Sequence, residues 1–199
     1  MKVVNKLHIV FVACFCLLTS CNKSYSPSEY IKWAQQESNG LRVIKDMFPY
    51  KFILQYKSPN YIKAMSLINA IESESPSDQT IQFNLTIKSL DNQSHPLYTN
   101  GTNEDFHEKV KHFNDNGGED FFLIAGVDTF LCNFCHMEYN YGVAPLSTIV
   151  LAFDVPDKVS RYYEQDWFLV YDDKVFDTGL IRMKIRKKDL MKLNFVKLV

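Results

Sequence analysis

Alternating apolar and polar residues are the clearest local pattern in the chain. Across residues 80–90, the apolar side chains of Ile81, Phe83 and Leu85 stand at every second position, with polar residues between them. A period of two predicts a β-strand that buries one face and leaves the other in water. Shorter segments predict further strands at residues 41–48, 51–57, 121–126, 130–139, 167–171 and 180–186.

Two of these segments, together with a longer apolar run, set the expected topology. Residues 121–126 and 130–139 are separated only by Val127-Asp128-Thr129, which predicts an antiparallel hairpin. Residues 147–155 are apolar on both faces of a strand, so we expect them to lie in the centre of a sheet.

Capping residues predict short helices between the strands. Ser26-Pro27-Ser28-Glu29 has the composition of a helix start, with a capping serine and a proline in the first turn, and this helix is expected to end near Asn39-Gly40. Ser58-Pro59 predicts a second start, and residues 104–114 a third helix. The chain is therefore expected to be mainly β (α+β), an antiparallel β-sandwich of about eight strands with two or three short helices.

The N-terminal residues have the pattern of a targeting signal. Lys2 and Lys6 flank the start of an apolar stretch at residues 7–18, which is too short to span a bilayer core, since that needs about 20 residues. The stretch ends in Leu18-Thr19-Ser20-Cys21, which resembles a bacterial lipobox. We expect residues 1–20 to be a lipoprotein signal peptide, residues 21–28 a tether lipidated at Cys21, and residues 29–199 a single β-sandwich-like domain.

The residues after the expected cleavage point suggest a location. Asn22 stands where many enterobacterial lipoproteins retained at the inner membrane carry Asp, and Lys23 precedes the first acidic residue, Glu29. We expect an outer-membrane lipoprotein whose domain lies in the periplasm. Its first partner is then the lipid bilayer, reached through acylated Cys21.

Composition and charge exclude several classes of protein. Apolar residues make up 46% of the chain and aromatic residues 14%, with only 7 Gly and 7 Pro, which is typical of a globular domain. The formal net charge is −1, and it becomes −3 once Lys2 and Lys6 are removed with the signal. A charge so near balance argues against binding to nucleic acid. Outside the N-terminal region only Cys132 and Cys135 remain, so no disulfide framework is expected.

Two segments in the C-terminal part are similar to other lipoproteins. Residues 141–154 (YGVAPLSTIVLAFD) and 170–184 (VYDDKVFDTGLIRMK) resemble segments of uncharacterised lipoproteins from Bacteroidota. The resemblance carries no catalytic signature, and it implies a source and a cell-envelope location only.

Cys132-Asn133-Phe134-Cys135-His136 matches the pattern C-x-x-C-H for covalent attachment of haem, with His136 as the axial ligand. The surrounding sequence alternates like a strand, however, and a strand would direct Cys132 and Cys135 to opposite faces. Two buried cysteines and a histidine near a strand end are the more economical interpretation. The same three residues do not make a zinc site, because no fourth ligand is evident.

Other candidate chemistry is weaker. His107-Glu108 and His112 resemble the H-E-x-x-H metal helix with one residue too many, so the two imidazoles would not share a metal, and we expect a solvated face with Lys109 and Lys111. Asp172-Asp173 and Asp177 are expected to lie in a hairpin turn. No nucleophile elbow, phosphate-binding loop or dinucleotide motif is present.

The C-terminal region is basic. Arg182, Lys184 and Arg186 alternate with Met183 and Ile185, which predicts a strand with a charged, solvated face. Attraction to lipid phosphates or to an acidic partner is the alternative interpretation.

The sequence therefore predicts a membrane-anchored envelope lipoprotein. We expect it to be a non-catalytic binding or accessory module without a cofactor, and we expect its partner to be another envelope protein. The alternative hypothesis is a single-haem c-type electron-transfer protein that uses Cys132, Cys135 and His136.

Overall fold

The structure is a computed structural model that describes residues 23–71, 77–91, 93–98, 103–138 and 145–199. The signal peptide, Cys21 and Asn22 lie outside the described residues, as do the first four residues of the segment 141–154.

The larger sheet has five antiparallel strands in the order β2-β3-β4-β8-β7. Thr80–Ser89 (β4) lies at its centre, and its buried positions alternate with half-buried ones, as the period of two predicts. The other strands are β2 (Arg42–Met47), β3 (Tyr50–Lys57), β7 (Phe134–Glu138) and β8 (Leu146–Asp154).

The second sheet has four antiparallel strands in the order β10-β9-β5-β6. They are β5 (Phe121–Ala125), β6 (Asp128–Leu131), β9 (Trp167–Asp172) and β10 (Leu180–Ile185). A separate parallel pair joins β1 (Lys23–Tyr25) to β11 (Val196–Leu198), close to the two ends of the chain.

Aromatic side chains fill the space between the two large sheets. Tyr56 of β3 meets Trp167 of β9 with ring centroids 5.0 Å apart, and Phe52 meets Tyr171 at 6.4 Å. All four side chains are 1% exposed or less. Since each pair spans the two sheets, the fold is an antiparallel β-sandwich with one core, mainly β with added helices.

Four α-helices are described: α1 (Pro27–Gln35), α2 (Pro59–Asn69), α3 (Asn103–Asp115) and α4 (Lys187–Leu190). The predicted start of α1 is confirmed, because the backbone N–H and the hydroxyl of Ser26 both donate to Glu29, at 2.9 and 2.6 Å. The predicted start of α2 is also confirmed, since Ser58 Oγ accepts from the backbone N–H of Tyr61 at 3.2 Å. Gly40, with a φ of 77°, ends the 3-10 turn that follows α1.

The prediction of one strand across residues 130–139 is wrong. The backbone N–H of Cys132 still donates to Phe121 in the smaller sheet, at 3.3 Å, whereas that of Asn133 donates to Ala152 in the larger sheet, at 3.0 Å. The chain therefore crosses between the sheets at Cys132-Asn133. Only the short β6 forms the hairpin with β5, and β7 pairs with β8 in the larger sheet. Strands that change sheet in this way form the corners of sandwiches.

Part of the segment that was expected to be a tether is strand-paired in the structure. Residues 23–28 were expected to belong to a tether, yet Lys23–Tyr25 pairs with β11, and Tyr25 stacks on Trp33 of α1 with centroids 6.1 Å apart. The folded domain therefore includes Lys23–Tyr25. Only Asn22 lies between Cys21 and Lys23 in the sequence.

Candidate functional site

The two cysteines of the C-x-x-C-H segment both pack against the core, contrary to the expectation that they point to opposite faces. The crossover between the sheets resets the alternation of side chains, so Cys132 at the end of β6 and Cys135 in β7 face the same interior. A Cβ built on Gly117 would lie 2.9 Å from Sγ of Cys135, so only glycine leaves room for this thiol.

Burial makes these thiols poor nucleophiles. It raises the pKa of Cys132 to about 11 and that of Cys135 to about 12. Both thiols are therefore protonated at neutral pH. Because the thiolate is the reactive form of cysteine, we expect both of them to react slowly.

His136 lies on the other face of β7 from Cys135. Along this strand, Phe134, His136 and Glu138 are exposed, whereas Met137 is buried. A haem held by the two cysteines would need space inside the sandwich and an imidazole on the same side. The three residues therefore do not fit a covalently attached haem.

The two histidines of α3 have different surroundings. His107 is exposed, as predicted for a solvated face. His112 is not part of that face, because its Nε2 lies 2.6 Å from Oδ2 of Asp120, and Asp120 is 4% exposed. Among the described residues, no three His, Cys, Asp or Glu side chains are grouped so as to hold a metal ion.

An open cleft of about 520 Å³ lies beside His112, between α3 and the loop that joins β9 to β10. Its charged groups are largely paired: Lys109 Nζ lies 2.8 Å from Asp105, and Lys174 pairs with Asp172 outside the cleft. The lining side chains are Tyr50, Asp105, Glu108, Lys109, His112, Lys174, Val175, Phe176 and Asp177.

Asp173 holds the β9–β10 loop in shape. Its Oδ1 accepts from the hydroxyl of Tyr171 at 2.8 Å and from the backbone N–H groups of Val175 and Phe176 at 2.9 and 2.8 Å. Its Oδ2 accepts from the backbone and the hydroxyl of Thr178, at 2.7 and 2.6 Å. The predicted hairpin loop is confirmed, and a single buried carboxylate organises this wall of the cleft.

A second cleft of about 350 Å³ lies at the same end of the sandwich, and Tyr50 lines both. This cleft is mainly aromatic and hydroxylic. Phe48 is 89% exposed beside it, and Tyr98 stacks on Phe106 with ring centroids 4.6 Å apart. The two clefts meet at the first residue of β3, so we refer to this end of the molecule as the Tyr50 end.

The opposite end of β3 carries α1, α2 and the parallel pair. Lys57 is followed by Ser58, whose hydroxyl lies 2.9 Å from that of Tyr30 in α1. Since β1 packs on α1 through Tyr25 and Trp33, β1 and β11 lie at this Lys57 end. Seven steps of about 3.3 Å separate the two ends of β3, so the clefts and the parallel pair are roughly 23 Å apart along the strand.

The basic strand β10 alternates as predicted. Met183 and Ile185 are buried, at 2% and 1% exposure, and Arg182 and Lys184 lie outside. The guanidinium of Arg182 lies 3.8 Å from the ring centre of Phe168, a cation–π contact, and Lys184 pairs with Asp166 at 2.6 Å. Arg186 differs from these two, since its Nε donates to buried Asp189 at 2.7 Å.

Sequence reasoning missed the residues that build the clefts. Asp120 and Tyr50 carry no local signal, because each acquires its role from a contact with another element of the fold. Asp173 was assigned to a turn, and an Asp in a turn is a signal that its carboxylate accepts hydrogen bonds from backbone groups that follow it.

Comparison with known proteins gives little further information. No protein-family model matches the chain, and no curated protein matches it. A crystal structure of a protein of unknown function from Burkholderia pseudomallei aligns with 85% of this chain and 93% of its own, at 12% identity and a TM-score of 0.39. None of the helices among the described residues has the length and apolar character that crossing a membrane would require.

Proposed function

We propose that this chain is a lipid-anchored envelope protein, attached through acylated Cys21 to the outer membrane, whose periplasmic domain is a non-catalytic binding module. The clefts at the Tyr50 end receive its partner, which is another envelope protein. The lipobox-like ending Leu18-Thr19-Ser20-Cys21 supports the anchor.

The observation that carries the proposal is the pairing of Lys23 with the C-terminal strand segment. Lys23 is already hydrogen-bonded into the domain, its backbone N–H donating to the carbonyl of Phe195 at 3.1 Å. A signal peptide ending at residue 20 would leave this pairing intact, and Cys21 would stand directly at the edge of the fold. The anchor then lies at the Lys57 end, and the clefts face away from the bilayer.

The groups at the clefts favour binding over catalysis. The thiols nearest to them are protonated, and the acidic and basic side chains that line the larger cleft neutralise one another in part. Exposed Glu108 and Asp177 remain at its rim, next to the aromatic surface of Phe48 and Tyr98. Aromatic groups beside polar ones are typical of the centre and the rim of a protein interface.

Labelling with radioactive palmitate tests the anchor. Cells that express the chain are expected to label it, and Cys21→Ala is expected to abolish the label and leave the precursor uncleaved. Label that persists in Cys21→Ala would refute the lipid attachment.

Photo-crosslinking tests the clefts separately. A photoreactive residue at Glu108, on the cleft rim, is compared with one at Lys111, which is exposed on the same helix but does not line the cleft. The proposal expects a discrete crosslinked product at position 108 and none at 111. Equal products at both positions, or none at 108, would contradict a binding role for this cleft.

A further inference from the structure

The edge of the fold next to Cys21 exposes both basic and apolar side chains. Lys23 and Lys197 are exposed on the parallel pair, and the neighbouring Phe195 is 49% exposed, although its carbonyl is fixed by Lys23. Val196, between Phe195 and Lys197, is buried, so the pair is firmly seated on the domain. In the parallel register, Lys23 lies opposite Val196 and Ser24 lies opposite Lys197, so Phe195 and Lys197 project from the outer side of the pair, and Lys23 lies at its exposed start. We refer to these three residues together as the β1–β11 face.

Helix α2 adds apolar surface at the same end. It begins after Lys57 and packs against β11, and it leaves Leu67 and Ile68 56% and 48% exposed. The Lys57 end thus combines exposed apolar groups with lysines. This combination is typical of surfaces that lie in the headgroup layer of a membrane.

Chain length determines how close this face comes to a bilayer. Two residues span at most about 7 Å when fully extended. If Cys21 carries the lipid, Lys23 is therefore held within about 7 Å of the anchored residue, and no flexible tether separates them.

We propose that the β1–β11 face lies in the headgroup layer of an anionic bilayer, with Phe195 at the boundary of the acyl chains and Lys23 and Lys197 on lipid phosphates. This inference rests on the proposed anchor at Cys21. Glu29 is the acidic residue nearest in sequence, and it is engaged by the backbone and hydroxyl of Ser26. The bilayer therefore meets two lysines with no acidic residue among the three members of the face.

Tryptophan quenching by brominated lipids tests the contact in the full lipidated chain. Phe195→Trp places the probe on the proposed face, and Phe48→Trp is a matched control at the Tyr50 end, where the phenyl ring is also exposed. The unsubstituted chain gives the background from Trp33 and Trp167. In anionic brominated vesicles, the emission maximum of the tryptophan at position 195 is expected to shift to the blue, and most of its fluorescence should be quenched. The emission of the tryptophan at position 48 is expected to change little.

The outcomes separate the face from the anchor. A chain that does not float with the vesicles refutes the anchor and this face with it. A chain that floats but shows equal quenching at 195 and 48 overturns the face alone. Lys23→Gln with Lys197→Gln is expected to reduce quenching at 195 in anionic vesicles, and equal quenching in zwitterionic and anionic vesicles would overturn the assignment of lipid phosphates.

Discussion

His112 and Asp120 are joined through Nε2 and Oδ2, 2.6 Å apart, and this contact ties the end of α3 to the 3-10 turn that leads into β5. Asp120 is buried, whereas His112 is reached from the larger cleft. The pair thus connects the cleft wall to the core.

Removing the imidazole should destabilise the domain. His112→Ala leaves the Asp120 carboxylate buried without its partner, and the expected loss is about 1–3 kcal/mol of unfolding free energy. Urea unfolding measures this loss. His107→Ala, on the exposed face, is the control and should change the free energy of unfolding by about 0.5 kcal/mol or less. Strict additivity of His112→Ala and Asp120→Ala would contradict a direct interaction.

Asp173 predicts a dependence of stability on pH. Burial by itself raises the pKa of this carboxyl, but the hydrogen bonds from Thr178, Phe176 and Val175 outweigh burial and lower it. Since the folded-state pKa is depressed below the unfolded value of about 3.9, the stabilisation is present above about pH 4. It is lost as the pH falls through the folded-state value. Asp173→Asn should flatten this acid limb in urea titrations at several pH values, and an unchanged limb would contradict the role of this carboxylate.

The two sides of β10 should respond differently to substitution. Ile185→Ala removes a buried side chain and should cost about 2–5 kcal/mol. Lys184→Gln removes an exposed ion pair with Asp166 and should cost less than about 1 kcal/mol. Thermal unfolding compares the two variants, and an unchanged melting temperature for Ile185→Ala would refute the inward orientation of this residue.

Arg186 should contribute more to stability than an ordinary exposed basic residue. Its partner Asp189 is 1% exposed and also accepts from Lys192 at 2.7 Å. Because Arg186 itself is half exposed, we expect Arg186→Gln to cost about 1 kcal/mol, equivalent to roughly 2–4 °C in melting temperature. Lys188→Gln, at an exposed position of α4, is the control and should lie within about 0.5 kcal/mol of the parent. Equal effects would show that the contact with Asp189 adds nothing.

The thiols predict a colourless and slowly reacting protein. With pKa values of about 11 and about 12, Cys132 and Cys135 should react with thiol reagents much more slowly in the folded protein than in urea at pH 7.5. The purified protein is also expected to show no Soret band. A covalent haem signal that disappears in Cys132→Ser would reinstate the electron-transfer hypothesis.

The elements that sequence predicted well are those determined by neighbouring residues. The period of two in β4 and the caps at Ser26 and Ser58 are local, and the structure confirms them. The segment 130–139 continues to alternate across Cys132, so its change of sheet was not predictable from the pattern. The change of sheet depends on the partners of two successive backbone N–H groups. That of Cys132 donates to Phe121 in the smaller sheet, and that of Asn133 donates to Ala152 in the larger sheet.

Long-range pairs account for the rest. β1 and β11 are three residues each and lie at opposite ends of the chain, too short for any period to be recognised. The contact of His112 with Asp120 likewise depends on how α3 packs. A helix pattern shows which residues share a face, but it does not show what that face meets.

The pairing of β1 with β11 also constrains the order in which the chain can fold. Lys23–Tyr25 is synthesised long before Val196–Leu198, so β1 lacks this partner until β11 has been made. Over that interval the edge of β1 is open to other chains. If Cys21 carries a lipid, as proposed, the first strand would be held at the membrane before its partner exists.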